Sequence, residues 1–271
     1  KRLFDTPRTS WQDYDKKLIS KGGGIFSRSL KAIDVTPEIA AITGIDKAQV
    51  TPVELMSALL KSQCELMWFG GIGNYIKGRA ESHTDVGDKA NDGIRVDAED
   101  VRALVVGEGA NLGVTQKGRI GFARNGGRIN TDAIDNSAGV DTSDHEVNIK
   151  IATGGAIAAG TLAASERDAL LFSMTDEVAG LVLRHNYQQS QAISMAEGQA
   201  AEEHDRLERF MRTLERKGRL DRAVEFLPNS AAMRVRAANR QPLTRPELCV
   251  LLAYAKIDLN DEILASDLPD D

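Results

Sequence analysis

Glycine is spread unevenly along the chain, and this limits the folds open to it more than any other feature. Of the 24 glycines, 18 fall in residues 1–150 and six in residues 151–271. Glycine costs stability inside a helix and serves where backbone turns tightly or approaches a ligand. The first stretch therefore reads as loop-rich α/β and the second as mostly helical. Charge divides at the same place: residues 1–150 carry 20 Lys and Arg against 21 Asp and Glu, and the remainder carries 14 against 19.

With 42% hydrophobic and 27% charged residues, the 271-residue chain has ample material for a core. That excludes a disordered or low-complexity segment. No apolar run approaches the roughly 20 residues of a membrane span, and the opening KRLFDTPRTS has no apolar stretch of a signal peptide behind it. A first residue other than methionine leads us to expect a fragment or a processed chain. The net charge of −6 argues against nucleic-acid or anionic-membrane partners held by bulk electrostatics. Cys64 and Cys249 sit in apolar settings and are expected to be buried free thiols, which fits a reducing cytoplasm. Neither has a Cys or His at zinc spacing, and four scattered histidines leave little for a metal site, so none is expected.

Local signals give the order of elements. Thr51-Pro52-Val53-Glu54 combines an N-cap, a proline at the first helical position and a capping-box glutamate, with Met56, Leu59 and Leu60 as the apolar stripe. Cys64 to Phe69, ended by Gly70-Gly71, reads as a buried strand. Asp97 is expected to cap a short helix through Val101 and Leu104. Leu104 to Val106 reads as a second strand, Thr115 to Arg124 as a helix and Arg128 to Asn130 as a short third strand. This alternation predicts a parallel, doubly wound sheet over residues 1–150. Past Ser143, expected near the start of a long helix, the period is helical. One stripe is Leu171, Met174, Val178, Leu181 and Val182. Another is Leu207, Phe210, Met211 and Leu214, stopped by Gly218. Leu220 to Leu227 reads as a short helix ended by Pro228, and Thr244 caps a last one bearing Leu248, Leu251 and Leu252. Residues 151–271 are thus expected to form a helical bundle packed on the α/β part.

Three small-residue loops stand at expected strand ends: Gly70 to Asn74, Gly107 to Gly113 and Asn136 to Val140. Crevices form outside the carboxyl ends of parallel strands, so their recurrence points to a ligand cleft. Gly107-Glu108-Gly109-Ala110-Asn111-Leu112-Gly113 comes close to the dinucleotide-binding fingerprint G-x-G-x-x-G, with Asp132 downstream. Two features weigh against pyrophosphate there: Glu108 sets a carboxylate in a loop that should offer bare N–H groups, and the glycine spacing is long by one residue.

GEGANLGVT (Gly107 to Thr115) followed by RINTDAIDNSAGVDTSDHEVNIK (Arg128 to Lys150) resembles the glutamate dehydrogenase superfamily, with its EGAN-x-P-T loop and N-A-G-G-V segment. SKGGGIFSRS, WFGGIGNYIK and ESHTDVGDKANDGIRV look more specifically like the large NAD-specific bacterial members. The resemblance covers about the first 150 residues, and the helical remainder resembles the start of that family's carboxy-terminal extension. It implies a partial Rossmann-like, doubly wound sheet followed by an all-α bundle. It implies NAD as cofactor and oxidative deamination of L-glutamate to 2-oxoglutarate and ammonia, in a cytoplasmic homo-oligomer.

By that resemblance Asn111 and Asn136 contact the ribose and nicotinamide, while Gly70, Gly71 and Gly73 pass over the nicotinamide. Val140 lines the substrate pocket and Ser143 binds the substrate's side-chain carboxylate. Gly113 replaces the family's proline. The segment reads NSAGV, so Asn136 is placed by counting back from Val140. The family's catalytic lysines, its aspartate and its G-x-G-x-x-G lie upstream of the matched region, so no catalytic residue is assigned and the chain alone is expected to be inactive. Lys16, Lys17 and Lys21 read as surface lysines, His145 as a packing or helix-terminus residue, and Glu81, His83, Asp85 and Asp88 as a polar loop rather than a metal site. Arg234, Arg236, Arg240 and Arg245 read as a solvated basic face. Two readings stay open beside the main one: a non-catalytic scaffold or regulatory module, and a dehydrogenase for leucine or phenylalanine. Ser143 speaks against the latter, because an apolar pocket would leave its hydroxyl unpaired.

Overall fold

In a computed structural model, which describes residues 5, 6 and 8–269, helix starts fall where the capping signals place them. Thr51 accepts from the Glu54 N–H while the Glu54 carboxylate takes the Thr51 N–H at 2.8 Å, opening helix α2 (Pro52–Leu60). Thr36 opens α1 (Pro37–Thr43) and Ser82 opens the short α3 (His83–Val86). Thr115 opens α4 (Gln116–Arg124), and Thr244 with Glu247 opens α11 (Arg245–Leu264). The remaining helices are α5 (Asp132–Asp135), α6 (Ser137–Ala158), α7 (Arg167–Ser173), α8 (Thr175–Gln199), α9 (His204–Arg216) and α10 (Ser230–Ala238).

The chain is α/β with small sheets. The central one is three-stranded and parallel, in the order β3 (Leu66–Phe69), β6 (Val105–Glu108), β7 (Arg128–Ile129), with Phe69 opposite Glu108 and Val106 opposite Ile129. A parallel pair, β4 (Ile76–Lys77) and β5 (Val96–Asp97), lies beside it, and β1 (Ile33–Asp34) pairs antiparallel with β2 (Gln49–Val50). The three expected strands are all present. Phe69, Val106, Val114, Phe122 and Ile129 join Ile76 and Val96 in one buried cluster against α4. Leu66, Trp68 and Val105, which alternate with these residues along the strands, remain exposed among the described residues.

Some local expectations fail. Asp97 caps nothing: it belongs to β5, and its carboxylate is bonded to Lys77, with only a single turn of 3-10 helix following at Ala98–Asp100. The long helix α6 begins at Ser137, not near Ser143. Residues 220–227 form turns because the Asp221 carboxylate takes the N–H groups of Ala223 and Val224 and Phe226 is left-handed at φ 54°. Leu220 and Leu227 are still buried, in a cluster with Met211, Leu214, Met233, Leu248 and Leu251 that unites α9, α10 and α11. The first apolar stripe crosses a break at Met174 between α7 and α8.

Candidate functional site

The glycine loops owe much of their composition to two aromatic rings. A Cβ on Gly107 or Gly109 would lie 2.6 or 2.4 Å from the Trp68 indole, and one on Gly113 would lie 3.0 Å from Phe69. Glycine lets the backbone after β6 lie flat against the neighbouring strand's side chains, and the Ala110 N–H is then fixed to the Phe69 carbonyl at 3.0 Å. The left-handed residue of this loop is Leu112, at φ 60°. Its N–H is held by the Asp132 carboxylate at 2.9 Å.

Glu108 does not face the loop's exterior. It is fully buried and grips Arg119 of α4 through both carboxylate oxygens, at 2.7 and 2.9 Å, while accepting the Val114 N–H at 3.0 Å. Arg119 reaches on to Asp132 at 3.1 Å. Asp135 takes the Glu108 N–H at 2.9 Å and the Asn130 amide at 2.7 Å. Burial pushes the Glu108 carboxyl up, against the pull of the Arg119 fork and the Val114 N–H. Burial likewise pushes Asp135 up, against the Asn130 amide and the Glu108 N–H. The carboxylate that seemed misplaced in a phosphate loop is thus an internal strut holding β6, α4 and α5 together.

Above this strut the loop after β6 meets the start of α6. Asn136 sits at the start of α6, yet its side chain makes no cap; its amide donates to Asn111 Oδ1 at 2.5 Å. Both asparagines line a cleft of about 650 Å³ whose walls include Asp132, Ser137, Val140, Asp141, Asp144, His185 and Lys256. Ser137, in the first turn of α6, donates to Asn186 at 2.7 Å and so ties that helix to α8. Lys256 is held by Gln189 at 2.7 Å. Carboxylates and amides suit hydroxyl and amino groups better than a pyrophosphate.

The other expected residues are dispersed. Gly70 and Gly71 line a separate, more apolar cavity of about 410 Å³ with Leu59, Leu60 and Tyr75. Gly73 is buried at φ 140°, with Asn91 and Tyr75 where a Cβ would stand. Val140 is on the cleft wall and exposed. Ser143 is exposed, almost two turns into α6 and not among the cleft-lining residues. Lys16, Lys17 and Lys21 are exposed. Glu81 is buried and caps Gly78 at 2.7 Å, Asp85 caps α3 and Asp88 holds the Asn74 N–H at 2.8 Å, so this acidic stretch is spent on backbone. Arg236 pairs with buried Glu247 at 2.9 Å, and Arg245 reaches Asn130 and Glu197, so two of the four arginines are internal ties rather than a solvated face. Cys249 is buried, with its thiol pushed up to about 11 by burial, and Cys64 is half-buried; both are free.

Sequence reading missed one assembly. His145 Nδ1 lies 3.3 Å from one carboxylate oxygen of Asp141, and His185 Nδ1 of α8 lies 2.9 Å from the other. Asp141 and His145 are one helical turn apart, a pairing that spacing can reveal, but His185 is 44 residues from Asp141 and only the packing of α6 on α8 brings it in.

The cleft stands at the carboxyl edge of a parallel sheet, where α/β folds form their crevices. Residues 1–196 match the model of the bacterial NAD-glutamate dehydrogenase catalytic domain, and residues 240–271 match the glutamate dehydrogenase C-terminal model. The whole chain aligns with the NAD-specific glutamate dehydrogenases of Pseudomonas aeruginosa at 54% identity and of Halomonas elongata and Mycobacterium tuberculosis at 48%. It spans 17% of the length of each. The chain belongs to the bacterial NAD-glutamate dehydrogenase family. Among the described residues no helix is long and apolar enough to cross a membrane.

Proposed function

We propose that this chain is part of the catalytic region of an NAD-dependent glutamate dehydrogenase, converting L-glutamate to 2-oxoglutarate and ammonia. In this reading residues 1–150 are the later part of a Rossmann-like, doubly wound NAD-binding domain and residues 151–271 a helical C-terminal domain. The parent works as a cytoplasmic homo-oligomer. One observation carries the reading: the two asparagines that motif resemblance assigns to NAD, 25 positions apart, are joined by a hydrogen bond at the mouth of one cleft.

The residues fit the sugar part of NAD. With Asn136 donating to Asn111, the Asn111 amide N–H₂ and the Asn136 carbonyl remain, a donor and an acceptor matched to ribose hydroxyls. When bound, NAD accepts the hydride from the substrate's α-carbon. The chain's own task is to orient the ribose through this pair, with Gly70, Gly71 and Gly73 bordering the nicotinamide. By the resemblance Val140 and Ser143 take the substrate's side chain and its carboxylate; Val140 lines the cleft, and Ser143 stands outside its wall on the same helix. Lys256 supplies a cation in the cleft for a side-chain carboxylate, which leucine and phenylalanine lack.

The test is steady-state kinetics of the full-length parent. Asn111→Ala and Asn136→Ala are each expected to raise KM for NAD about tenfold, the equivalent of roughly 1.4 kcal/mol of lost hydrogen bonding. Ser143→Ala is expected to raise KM for glutamate and leave KM for NAD alone. Unchanged constants in all three variants favour a scaffold and sink the proposal.

A further inference from the structure

We propose that Asp141, His145 and His185 form a binding site for a divalent transition ion of the zinc class, clamping α6 to α8 beside the cleft. The site goes beyond the dehydrogenase reading and does not rest on it. Asp141 and His145 share one face of α6 by their spacing, and His185 approaches from α8, so the donors come from two packed helices rather than a floppy loop. One donor atom from each lies within 4.8 Å of the others. His145 Nδ1 lies 3.3 Å from one oxygen of Asp141 and His185 Nδ1 2.9 Å from the other, so the carboxylate stands between the two rings and each nitrogen needs only a small side-chain rotation to share an ion with it.

The donor chemistry selects the ion. Two imidazoles and one carboxylate suit zinc, cobalt or nickel, whereas magnesium and calcium prefer oxygen donors. The rings stand 5.6 Å apart with a 31° tilt, so both can aim a nitrogen at a shared point. All three side chains are partly buried, and Asp141 and His185 line the cleft. An ion can therefore enter from solvent, and its fourth position would open toward the cleft, as in three-ligand sites that keep one exchangeable place. Without an ion, His145 Nδ1 lies 2.8 Å from the main-chain oxygen of Asp141, where a ring N–H would donate. Loading through that nitrogen breaks this contact and shifts the ring proton to Nε2, so that His145 binds as a neutral imidazole.

The experiment is titration of zinc into the chain and into the full-length parent, with cobalt(II) as a spectroscopic probe. We expect saturable binding of one ion per chain, a rise in melting temperature on loading, and intense visible cobalt absorption typical of tetrahedral nitrogen and oxygen donors. His145→Ala and His185→Ala should each weaken binding by more than the roughly 10–100-fold that loss of an outer-sphere partner costs. Absence of saturable binding overturns the proposal, as does full affinity in the double variant. Should that variant fail to fold, a weak octahedral cobalt spectrum in the unmodified protein overturns it equally. None of these outcomes bears on KM for NAD, so the dehydrogenase reading stands or falls separately.

Discussion

Glu108 and Arg119 carry an energetic liability that a single substitution exposes. Both charges are out of water, at 0% and 5% side-chain exposure. Desolvating such a pair offsets most of its attraction, so the pair adds little net stability, but removing one partner strands the other. Arg119→Ala should therefore lower the unfolding free energy by about 3–5 kcal/mol, read from urea denaturation. Replacing both partners together by leucine should cost much less, because no buried charge is left alone. A single Arg119→Ala variant within about 1 kcal/mol of the parent chain would show that the strut is not formed.

At the scale of elements, short-range chemistry was legible and long-range chemistry was not. A helix cap and its partner lie three positions apart, so Thr51 with Glu54 announced α2 from sequence, and Thr115 and Thr244 announced α4 and α11. Two of the three expected strand-end loops follow strands; Asn136 to Val140 does not, because Asp132–Asp135 already turn as α5 and Ser137 to Val140 are the first turn of α6. The turns at 220–227 were not legible, because Leu220 and Leu227 have helical spacing while Asp221 diverts the backbone. The cleft was half legible: Asn111 and Asn136 came from motifs, whereas His185, Gln189 and Lys256 enter only through packing of α8 and α11.

The α2 cap also makes a pH prediction. Glu54 is held down to about 2 by the Thr51 N–H, with the Lys47 ammonium and the Thr51 hydroxyl adding to it. Its value in the folded chain lies below its unfolded value of 4.5. The cap's contribution is therefore complete above about pH 4.5 and is lost as pH falls from there through about 2. Carbon NMR should give a Glu54 carboxyl midpoint near 2, and Glu54→Gln should remove this part of the acid sensitivity. A midpoint near 4.5 would contradict the cap.

Across the whole molecule, α11 is the seam between sheet and helices. Arg245 reaches Asn130 beyond β7 at 2.6 Å and Ser194 and Glu197 of α8 at 3.1 and 2.9 Å, while the Pro246 carbonyl accepts from Gln116 of α4 at 3.3 Å. One helix start thereby fixes the two walls of the cleft relative to each other. What the cleft holds is a binding set rather than a catalytic one: two amides, several carboxylates, and a lysine ammonium tied to Gln189. Lys16, Lys17 and Lys21 are exposed to solvent and do not line the cleft. The leucine, tryptophan and valine face of the sheet is exposed as well, which is unusual for parallel strands. A chain with these features, covering 17% of its relatives' length, should orient ligands without turning them over. The isolated 271-residue chain, checked as folded by circular dichroism, is expected to give no glutamate-dependent NADH, whereas the full-length parent gives it readily. Turnover by the isolated chain would mean that the acid and base groups lie within these residues, and the division of labour argued here would have to be abandoned.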